Sequence, residues 1–174
     1  KYGSGPSPFG NILTVGTGRG LPALGPISIP VSLASTEAAS GLEIRIADTP
    51  DWFHVTGVTL TGRASAMTSS FTDGTGGVHI LVYSPTGSRI GFGDGDILSL
   101  NGTIDPGATE GDSADLNTVV LMADDAGQPV TIDSVDGVLH IERIAGDVNG
   151  DNFLDAGDIV RLIEIILGTG DVPT

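Results

Sequence analysis

The sequence predicts a mainly β protein, an antiparallel nine-stranded jelly roll or β-sandwich, and two observations support this prediction. The first is the alternation of apolar and polar residues in short segments, which is the two-residue period of a strand with one buried face. The second is the number of turn-forming residues, 27 glycines and 10 prolines in 174 residues, many of which separate those segments. Short strands at this spacing, without helical segments between them, are typical of sandwiches and jelly rolls.

Nine segments show the strand pattern. They are residues 11–15, 27–33, 42–46, 53–60, 78–83, 97–104, 117–122, 130–132 and 137–141. Residues 16–20 form the glycine-rich sequence GTGRG, but Pro22 and Pro26 forbid the helix that a dinucleotide-binding loop needs at this point, so we predict a turn. The Gly/Ser/Pro-rich residues 1–10 are predicted to form a flexible arm.

The segment near the C terminus has a helical period instead. Its apolar residues are Ile159, Val160, Leu162, Ile163, Ile165, Ile166 and Leu167, and they leave only Arg161 and Glu164 polar. A short helix that is apolar on nearly all sides must be buried on nearly all sides. Two interpretations follow: the helix packs entirely on its own sandwich, or it packs one face there and offers the other to a partner. Residues 168–170, Gly-Thr-Gly, are predicted to cap it.

The twelve residues before and into this helix, 147–158, have the spacing of a calcium-binding loop of EF-hand type. Such loops provide oxygen ligands from positions 1, 3, 5, 7, 9 and 12. The predicted ligands are Asp147, Asn149, Asp151, the backbone carbonyl of Phe153, Asp155 and Asp158. Four carboxylates in one loop repel each other without a cation, so the sequence predicts bound Ca²⁺.

Two loop positions differ from the general EF-hand pattern. Asn152 replaces the usual glycine at position 6, and asparagine tolerates the left-handed backbone conformation well. Asp158 replaces the usual glutamate at position 12. With this aspartate, residues 146–168 resemble one calcium repeat of a type I dockerin. Dockerins normally carry two such repeats, and one is present here.

The preceding segment resembles the dockerin's binding partner. Residues 27–33, 41–46, 55–60 and 135–141 resemble strands of a cohesin domain in their order and apolar pattern. The resemblance covers residues 11–142 and implies a nine-stranded jelly roll that serves protein attachment outside the cell, without catalysis. The predicted organisation is thus an arm (1–10), a cohesin-like sandwich (11–142) and a half-dockerin loop and helix (143–174).

Charge and composition exclude several classes of function. The net charge is −15, and the last 81 residues contain 17 of the 22 acids but only two of the seven bases. Such a field repels nucleic acid and favours cations. The chain has no cysteine, and no apolar run approaches the roughly 20 residues of a membrane span. Since Ser-His-Asp, His-Glu-x-x-His and Gly-x-Ser-x-Gly patterns are missing as well, the sequence predicts that the protein is not an enzyme.

Other polar positions have two readings. The aspartates in the loops after residue 93 have two interpretations: they bind a second calcium ion, or they are solvated turn residues. These aspartates are Asp94, Asp96, Asp105, Asp112 and Asp115. Asn101-Gly102-Thr103 is a sequon that marks an exposed glycosylation site if the source glycosylates secreted proteins. The histidines His54, His79 and His140 are isolated in apolar strands and are predicted to be packed or edge residues.

The combination predicts a secreted, non-catalytic structural or adhesion protein. Its helix would bind the sandwich of the next copy, head to tail, and build a calcium-stabilised filament or surface layer, since heterologous contacts form rings or open chains. One alternative is a cohesin–dockerin module of a larger cell-surface or cellulosome-like scaffold that binds a different protein. Another is a carbohydrate-binding module, for which one tryptophan and two tyrosines provide little stacking surface.

Overall fold

Two β-sheets pack face to face in the computed structural model of the chain, which describes residues 10–22, 25–142, 145–149 and 155–169. The strands are β1 (Ile12–Val15), β2 (Thr17–Gly20), β3 (Ile27–Ala34), β4 (Gly41–Thr49), β5 (Phe53–Leu60), β6 (Thr68–Gly74), β7 (Gly77–Tyr83), β8 (Asp96–Ile104), β9 (Ser113–Ala123), β10 (Pro129–Val130), β11 (Asp133–Val135) and β12 (Gly137–Ile141). A 3-10 helix lies at Gly62–Ala64, and helix α1 (Ala156–Ile166) follows the strands.

The strands form two sheets. The first sheet has the order β11-β1-β3-β8-β5, and the second has the order β2-β12-β9-β4-β7-β6, with β10 paired to β9. In β3, β4, β8 and β9, alternate side chains are buried between the two sheets; in β4 these are Leu42, Ile44, Ile46 and Asp48. Each fully buried Leu or Ile stabilises the fold by roughly 1.5–3 kcal/mol. The mainly β sandwich is thereby confirmed, and its core forms without α1.

The glycine-rich residues after β1 are a strand and not the predicted turn. β2 continues from β1 past Gly16 but joins the other sheet, where it pairs in parallel with β12. The glycines allow this because β2 lies close against β3: a Cβ atom on Gly18 would lie 2.6 Å from Cδ1 of Ile29, and one on Gly20 would lie 2.5 Å from Cγ2 of Ile27. β1 also pairs in parallel with β11, so the sandwich is not purely antiparallel.

Two further regions differ from the prediction. β6 was absent from the predicted set because its sequence, TSSFTDG, is mostly exposed at a sheet edge and lacks an apolar alternation. The predicted strand at 130–132 is replaced by the short strands β10 and β11, which pair with different sheets. Edge strands and sheet-switching segments are the places where a one-sided apolar pattern is not required.

Helix α1 begins three residues before its first apolar residue and ends as predicted. Asp155 is the N-cap, and its side chain accepts a hydrogen bond from the backbone N–H of Gly157. At the C-terminal end, Gly168 has a φ of 69°. The N–H of Thr169 donates to the carbonyl of Glu164 at 2.9 Å, and the N–H of Gly168 donates to that of Ile165 at 3.1 Å, the bonding pattern of a Schellman cap.

The close approach at β2 gives a test of the corrected topology. Gly18→Val is expected to lower the free energy of unfolding by about 1–3 kcal/mol, because the added side chain overlaps Ile29 and Leu139. Urea denaturation followed by circular dichroism measures the change. Gly74→Val is the matched control, since a Cβ atom on Gly74 meets no atom within 4 Å. Equal unfolding midpoints for the two variants would contradict the placement of β2.

Candidate functional site

The start of the predicted calcium loop is joined to the start of helix α1 through one carboxylate. Oδ1 of Asp158 accepts hydrogen bonds from the backbone N–H groups of Val148 at 2.8 Å and Asn149 at 3.4 Å. Oδ2 of the same side chain accepts from the N–H of Asp155 at 2.9 Å, which completes a capping box. Asp158 is buried. Loop positions 2, 3, 9 and 12 therefore meet at the N-terminal end of the helix.

Two carboxyl groups of the loop also approach each other. The side chain of Asp147 hydrogen-bonds to that of Asp158. The pKa of Asp158 is lowered, first by the N–H of Asp155 and then, against the opposing effect of burial, by the N–H groups of Val148 and Asn149 and by Asp147. Two charged carboxylates that approach each other repel, and a cation bound between them would relieve that repulsion.

Asn149 lies on the same side of the loop. A Cβ atom on Gly157 would lie 2.9 Å from Nδ2 of Asn149 and 2.9 Å from Oδ1 of Asp155, so these two side chains border the first helical turn. Asp151 and Phe153, the other two predicted ligands, fall outside the described residues. Among the residues that are described, no three acidic or histidine side chains by themselves form a metal-holding group.

The apolar residues of α1 are mostly exposed. Ile159 is 61% and Ile166 72% exposed, and Val160, Leu162, Ile163 and Leu167 are exposed as well. Asp158 is buried, and the half-buried residues are Gly157, Arg161, Glu164 and Ile165. Arg161 and Glu164 form an ion pair at 3.3 Å between Nη1 and Oε2. The polar side of the helix is thus its less exposed side, and the apolar side is not packed on the sandwich of the same chain.

A second exposed apolar surface lies on the outer face of the second sheet. Its centre is a grid of three residues on each of three neighbouring strands: Tyr83, Leu81 and His79 on β7; Gly41, Glu43 and Arg45 on β4; Ala123, Leu121 and Val119 on β9. We call Leu81, Tyr83, Val119 and Leu121 the docking patch. Val119 is 63% and Leu121 60% exposed, whereas a monomer seldom exposes such residues side by side.

The docking patch borders a groove, and the charged side chains beside it form an ion pair. Because Gly41 has no side chain between Tyr83 and Ala123, a groove of about 410 Å³ runs there, with Pro129 at its end. In the middle of the grid, Oε1 of Glu43 accepts from Nη2 of Arg45 at 2.7 Å and contacts Nε2 of His79 at 3.0 Å. These contacts, that of Arg45 first, lower the pKa of Glu43. The acid and the base on this face therefore neutralise each other.

The chain leaves the second sheet toward α1 at the end remote from the docking patch. β12 runs antiparallel to β9, and His140 near its end is opposite Ser113 at the beginning of β9. The chain toward α1 thus leaves the sheet at this end. Leu121 lies eight residues further along β9, which is about 26 Å at 3.3 Å per residue.

The remaining predicted positions do not form one site. Asp96 and Asp105 are at opposite ends of β8, and Asp105 already accepts from the N–H of Gly107 and contacts His54, whose pKa it raises. Asn101 is half-buried in the middle of β8, and its Nδ2 donates to Oγ1 of Thr59 at 3.0 Å. Its sequon remains a prediction, on the sheet opposite the docking patch.

Sequence reasoning missed the docking patch, although a sign of it was present. Strands with one face in water alternate, but β7 contains Ile80-Leu81-Val82-Tyr83, and β9 contains Val119-Val120-Leu121-Met122. Runs of four apolar residues indicate strands that are apolar on both faces. The register that aligns both runs with Gly41–Arg45 is known only from the structure.

Comparison with known proteins concerns the sandwich. No protein-family model and no curated protein matches the chain, whereas 44 chains of solved structures do. The sixth cohesin of scaffoldin B from Acetivibrio cellulolyticus, solved in complex with a Cel5 dockerin mutant, is 20% identical over 76% of this chain and 99% of its own, with a TM-score of 0.62. A non-cellulosomal cohesin from the archaeon Archaeoglobus fulgidus is 15% identical over 77% and 92%, with a TM-score of 0.61.

A third neighbour is a cohesin from Clostridium thermocellum, named OlpA and solved with the dockerin Doc918. It is 16% identical over 76% of this chain and 99% of its own, with a TM-score of 0.65. Identities this low establish the fold alone. The dockerin-like character of residues 146–168 stays a sequence prediction, and in the described part of the chain no helix has the length and apolarity to cross a membrane. The sandwich of this chain has the fold of a cohesin domain.

Proposed function

We propose that the protein is an extracellular, non-catalytic attachment protein that self-associates head to tail. Helix α1 of one copy docks on the docking patch of the next, with Ca²⁺ ordering the loop before the helix. The observation that carries the proposal is the presence, on one chain, of two exposed apolar surfaces: the helix and the outer face of β7-β4-β9. Burial of apolar area drives such an association.

The dimensions of the two surfaces are compatible. Along α1, Ile159 and Ile166 are separated by about 10 Å at 1.5 Å per residue. Across the grid, β7 and β9 are separated by two strand spacings, also about 10 Å. The groove beside Gly41 provides a recess for one large side chain of the helix.

Charge favours these two surfaces over the rest of the molecule. The net charge of −15 makes copies repel one another. The docking patch, however, flanks the balanced pair Glu43–Arg45, and the middle of α1 contains the balanced pair Arg161–Glu164. Contact between these two regions brings no uncompensated charge together, because the other acid of α1, Asp158, is buried at the N-terminal end of the helix. Since salt screens the long-range repulsion, association is expected to strengthen as ionic strength rises.

The residues of the loop before α1 provide the oxygen ligands that Ca²⁺ requires. Asp147 and Asp158 are already in contact, Asn149 and Asp155 border the same turn, and all of them carry the oxygen ligands that Ca²⁺ prefers. Asp151 and the Phe153 carbonyl complete the proposed set. When bound, the ion supplies positive charge that relieves carboxylate repulsion and ties the loop to α1. The first turn of α1 is held by the chain itself, through the capping box of Asp155 and Asp158.

The proposal is tested by sedimentation velocity and electron microscopy of the full chain. In calcium and 0.15 M salt at high protein concentration, we expect species larger than a monomer and filaments or rings. After chelation these are expected to shorten or dissolve, because an eleven-residue helix is only marginally stable alone. A protein that stays strictly monomeric in calcium would show that the self-association is wrong.

A second candidate function has support from the solved neighbours, several of which are cohesins bound to dockerins. In that case, the docking patch binds a dockerin of a different protein, and the chain is one module of a larger scaffold. The two functions are separated by one comparison. Self-association predicts that the isolated sandwich, residues 10–142, caps growing chains of the full protein, whereas a module for a foreign partner predicts no effect.

A further inference from the structure

A cavity of about 480 Å³ opens on the outer face of the first sheet, where β3 and β8 pair. Pro30 and Ser99 are partners in that pairing, and the residues on either side of each are buried, so both point away from the core. The cavity therefore lies on the opposite side of the sandwich from the docking patch. Its lining includes Pro30, Thr61, Arg63, Asp96, Leu98 and Ser99.

Arg63 forms a fixed wall of this cavity. It follows β5 in the 3-10 helix, and its side chain reaches β3, where Nη2 donates to the carbonyl of Leu33 and Nη1 donates to Oγ of Ser35 at 3.3 Å. Nη1 also donates to the carbonyl of Gly91, in the connection from β7 to β8. Acceptors on two separate segments hold the guanidinium in one position, and such a preorganised wall loses little freedom when a ligand binds.

Buried polar atoms without partners concentrate at the same cavity. Across the described ranges, three buried side-chain polar atoms have no hydrogen-bond partner: Oγ1 of Thr61, Nε of Arg63 and Oε1 of Glu110. Two of the three belong to residues that line the cavity. A buried polar group without a partner is costly, so these two atoms indicate that a bound polar molecule belongs here.

The missing partners define the chemistry of that molecule. The N–H of Arg63 needs an acceptor, the exposed carboxylate of Asp96 needs a donor, and the hydroxyl of Thr61 serves either. A ligand hydroxyl group both donates and accepts. A metal ion cannot accept from Arg63, and a fully ionised anion cannot donate to Asp96. The net charge of −15 also repels an anion.

Apolar surface is available beside these polar groups. Phe92 is 54% exposed, between Gly91 and Gly93 on the connection that leads into β8. Two backbone hydrogen bonds, of 2.8 and 2.9 Å, join Gly93 to Ser35 and fix this part of the connection. The ring of Pro30 is exposed as well. A sugar ring has an apolar face of C–H groups and a polar edge of hydroxyls, so it uses both kinds of surface.

We infer that the cavity binds a neutral saccharide of one or two rings, with its hydroxyls on Thr61, Arg63 and Asp96 and its C–H face against Pro30 and Phe92. The volume of about 480 Å³ is within the roughly 300–1,000 Å³ of small-molecule sites. A pocket for a short sugar does not need the broad aromatic strip of a polysaccharide-binding surface. Because head-to-tail docking uses the second sheet, each copy in an assembly still presents its sugar site.

Titration of the full chain, followed by NMR of its backbone amides, tests this inference. The sample carries Leu121→Asp, which is monomeric whether or not the unsubstituted protein self-associates. The probes are glucose, galactose, mannose, cellobiose, maltose and lactose, and Mg²⁺ is added separately to calcium-saturated protein. At least one sugar is expected to shift the amide signals of residues 61–63 and 93–99.

Three substitutions in this background locate the sugar. Thr61→Val keeps the shape of the side chain but loses its hydroxyl, and it should weaken binding roughly fivefold, the value of one hydrogen bond. Asp96→Ala removes a charged acceptor and should weaken binding about tenfold or more. Asp115→Ala makes the same change of charge at an exposed residue of β9, on the other sheet, and should leave the affinity unchanged.

Four results would overturn the inference. If none of the six sugars shifted these amides, the cavity would hold water, which also donates and accepts. Shifts with Mg²⁺ and none with sugars would make it a cation site. Sugar-induced shifts confined to the second sheet would place the sugar on the docking patch. Equal affinities for all three substituted proteins would show that Thr61 and Asp96 do not contact the ligand.

Discussion

Leu121→Asp is expected to abolish head-to-tail association while leaving the sandwich folded. Leu121 lies in the centre of the docking patch, opposite Glu43 across the β4–β9 pairing, and its side chain points away from the core. In the complex, the new carboxylate would be desolvated next to Glu43 without a partner. The loss of such a central residue typically weakens an interface by 2 kcal/mol or more, which is a factor of about 30 in affinity. Sedimentation velocity in calcium measures the change.

Val135→Asp is the control for this variant. Val135 is also an exposed apolar strand residue, 49% exposed, but it lies in β11, at the edge of the other sheet. The same change of charge there is expected to leave the sedimentation profile near that of the unsubstituted protein. If both substitutions reduced association equally, net charge and not the docking patch would control it. If Leu121→Asp still assembled, the helix would dock elsewhere.

Most of the fold was predictable because burial determines it. The strands β3, β4, β8 and β12 are buried on one face and therefore alternate, which is the feature that the sequence displays. β2 was not predictable in this way, because its glycines record a close approach to β3 that depends on tertiary packing. The edge strand β6 shows no alternation, since most of its residues face water.

The candidate site also has one part that local sequence predicts and one part that depends on tertiary structure. The loop ligands follow one another at fixed spacing, so local sequence is enough to propose Asp147 and Asp158 as ligands of one ion. The structure joins the start of the loop to Asp158 through the N–H groups of Val148 and Asn149, and the ion itself stays a prediction. The surface around the docking patch combines β7, β4 and β9, whose paired residues are 34 to 82 positions apart along the chain. Only the strand register aligns them. The exposure of α1 was equally unpredictable, because periodicity indicates a helix that needs a partner without indicating which surface provides it.

Helix α1 and the sandwich are expected to respond separately to calcium. The core of the sandwich is complete without α1, and most apolar residues of α1 are exposed. Calcium should therefore protect the backbone amides of residues 159–166 against hydrogen exchange in unassembled protein, and leave those of the core strands unchanged. At a free calcium concentration of 100 times the dissociation constant, binding stabilises the folded loop by about 2.7 kcal/mol. Exchange in the helix coupled to the loop is then expected to slow by roughly a hundredfold. Leu121→Asp supplies the unassembled background.

Substitutions in the loop then separate binding of the ion from capping of the helix. Asp147→Ala is expected to remove most of the calcium-dependent protection and to change little in chelator. Asp158→Ala should reduce protection in both conditions, because it also deletes the acceptor for the N–H groups of Val148 and Asp155. Asp158→Asn retains a side-chain oxygen for capping but loses the charge, so it should resemble Asp147→Ala more closely.

Two comparisons decide the outcome. Asp155→Ala removes the N-cap, and it should cost about 1 kcal/mol of helix stability in chelator, a decrease in protection of about fivefold. Asp94→Ala, in a loop of the sandwich, is the control for loss of one negative charge and should leave exchange in α1 unchanged. Equal protection of α1 with and without calcium in the protein with the intact loop would show that the loop does not bind the ion. Equal effects of Asp158→Ala and Asp158→Asn in chelator would show that capping by Asp158 does not hold the helix, because the amide retains an acceptor that the methyl group lacks.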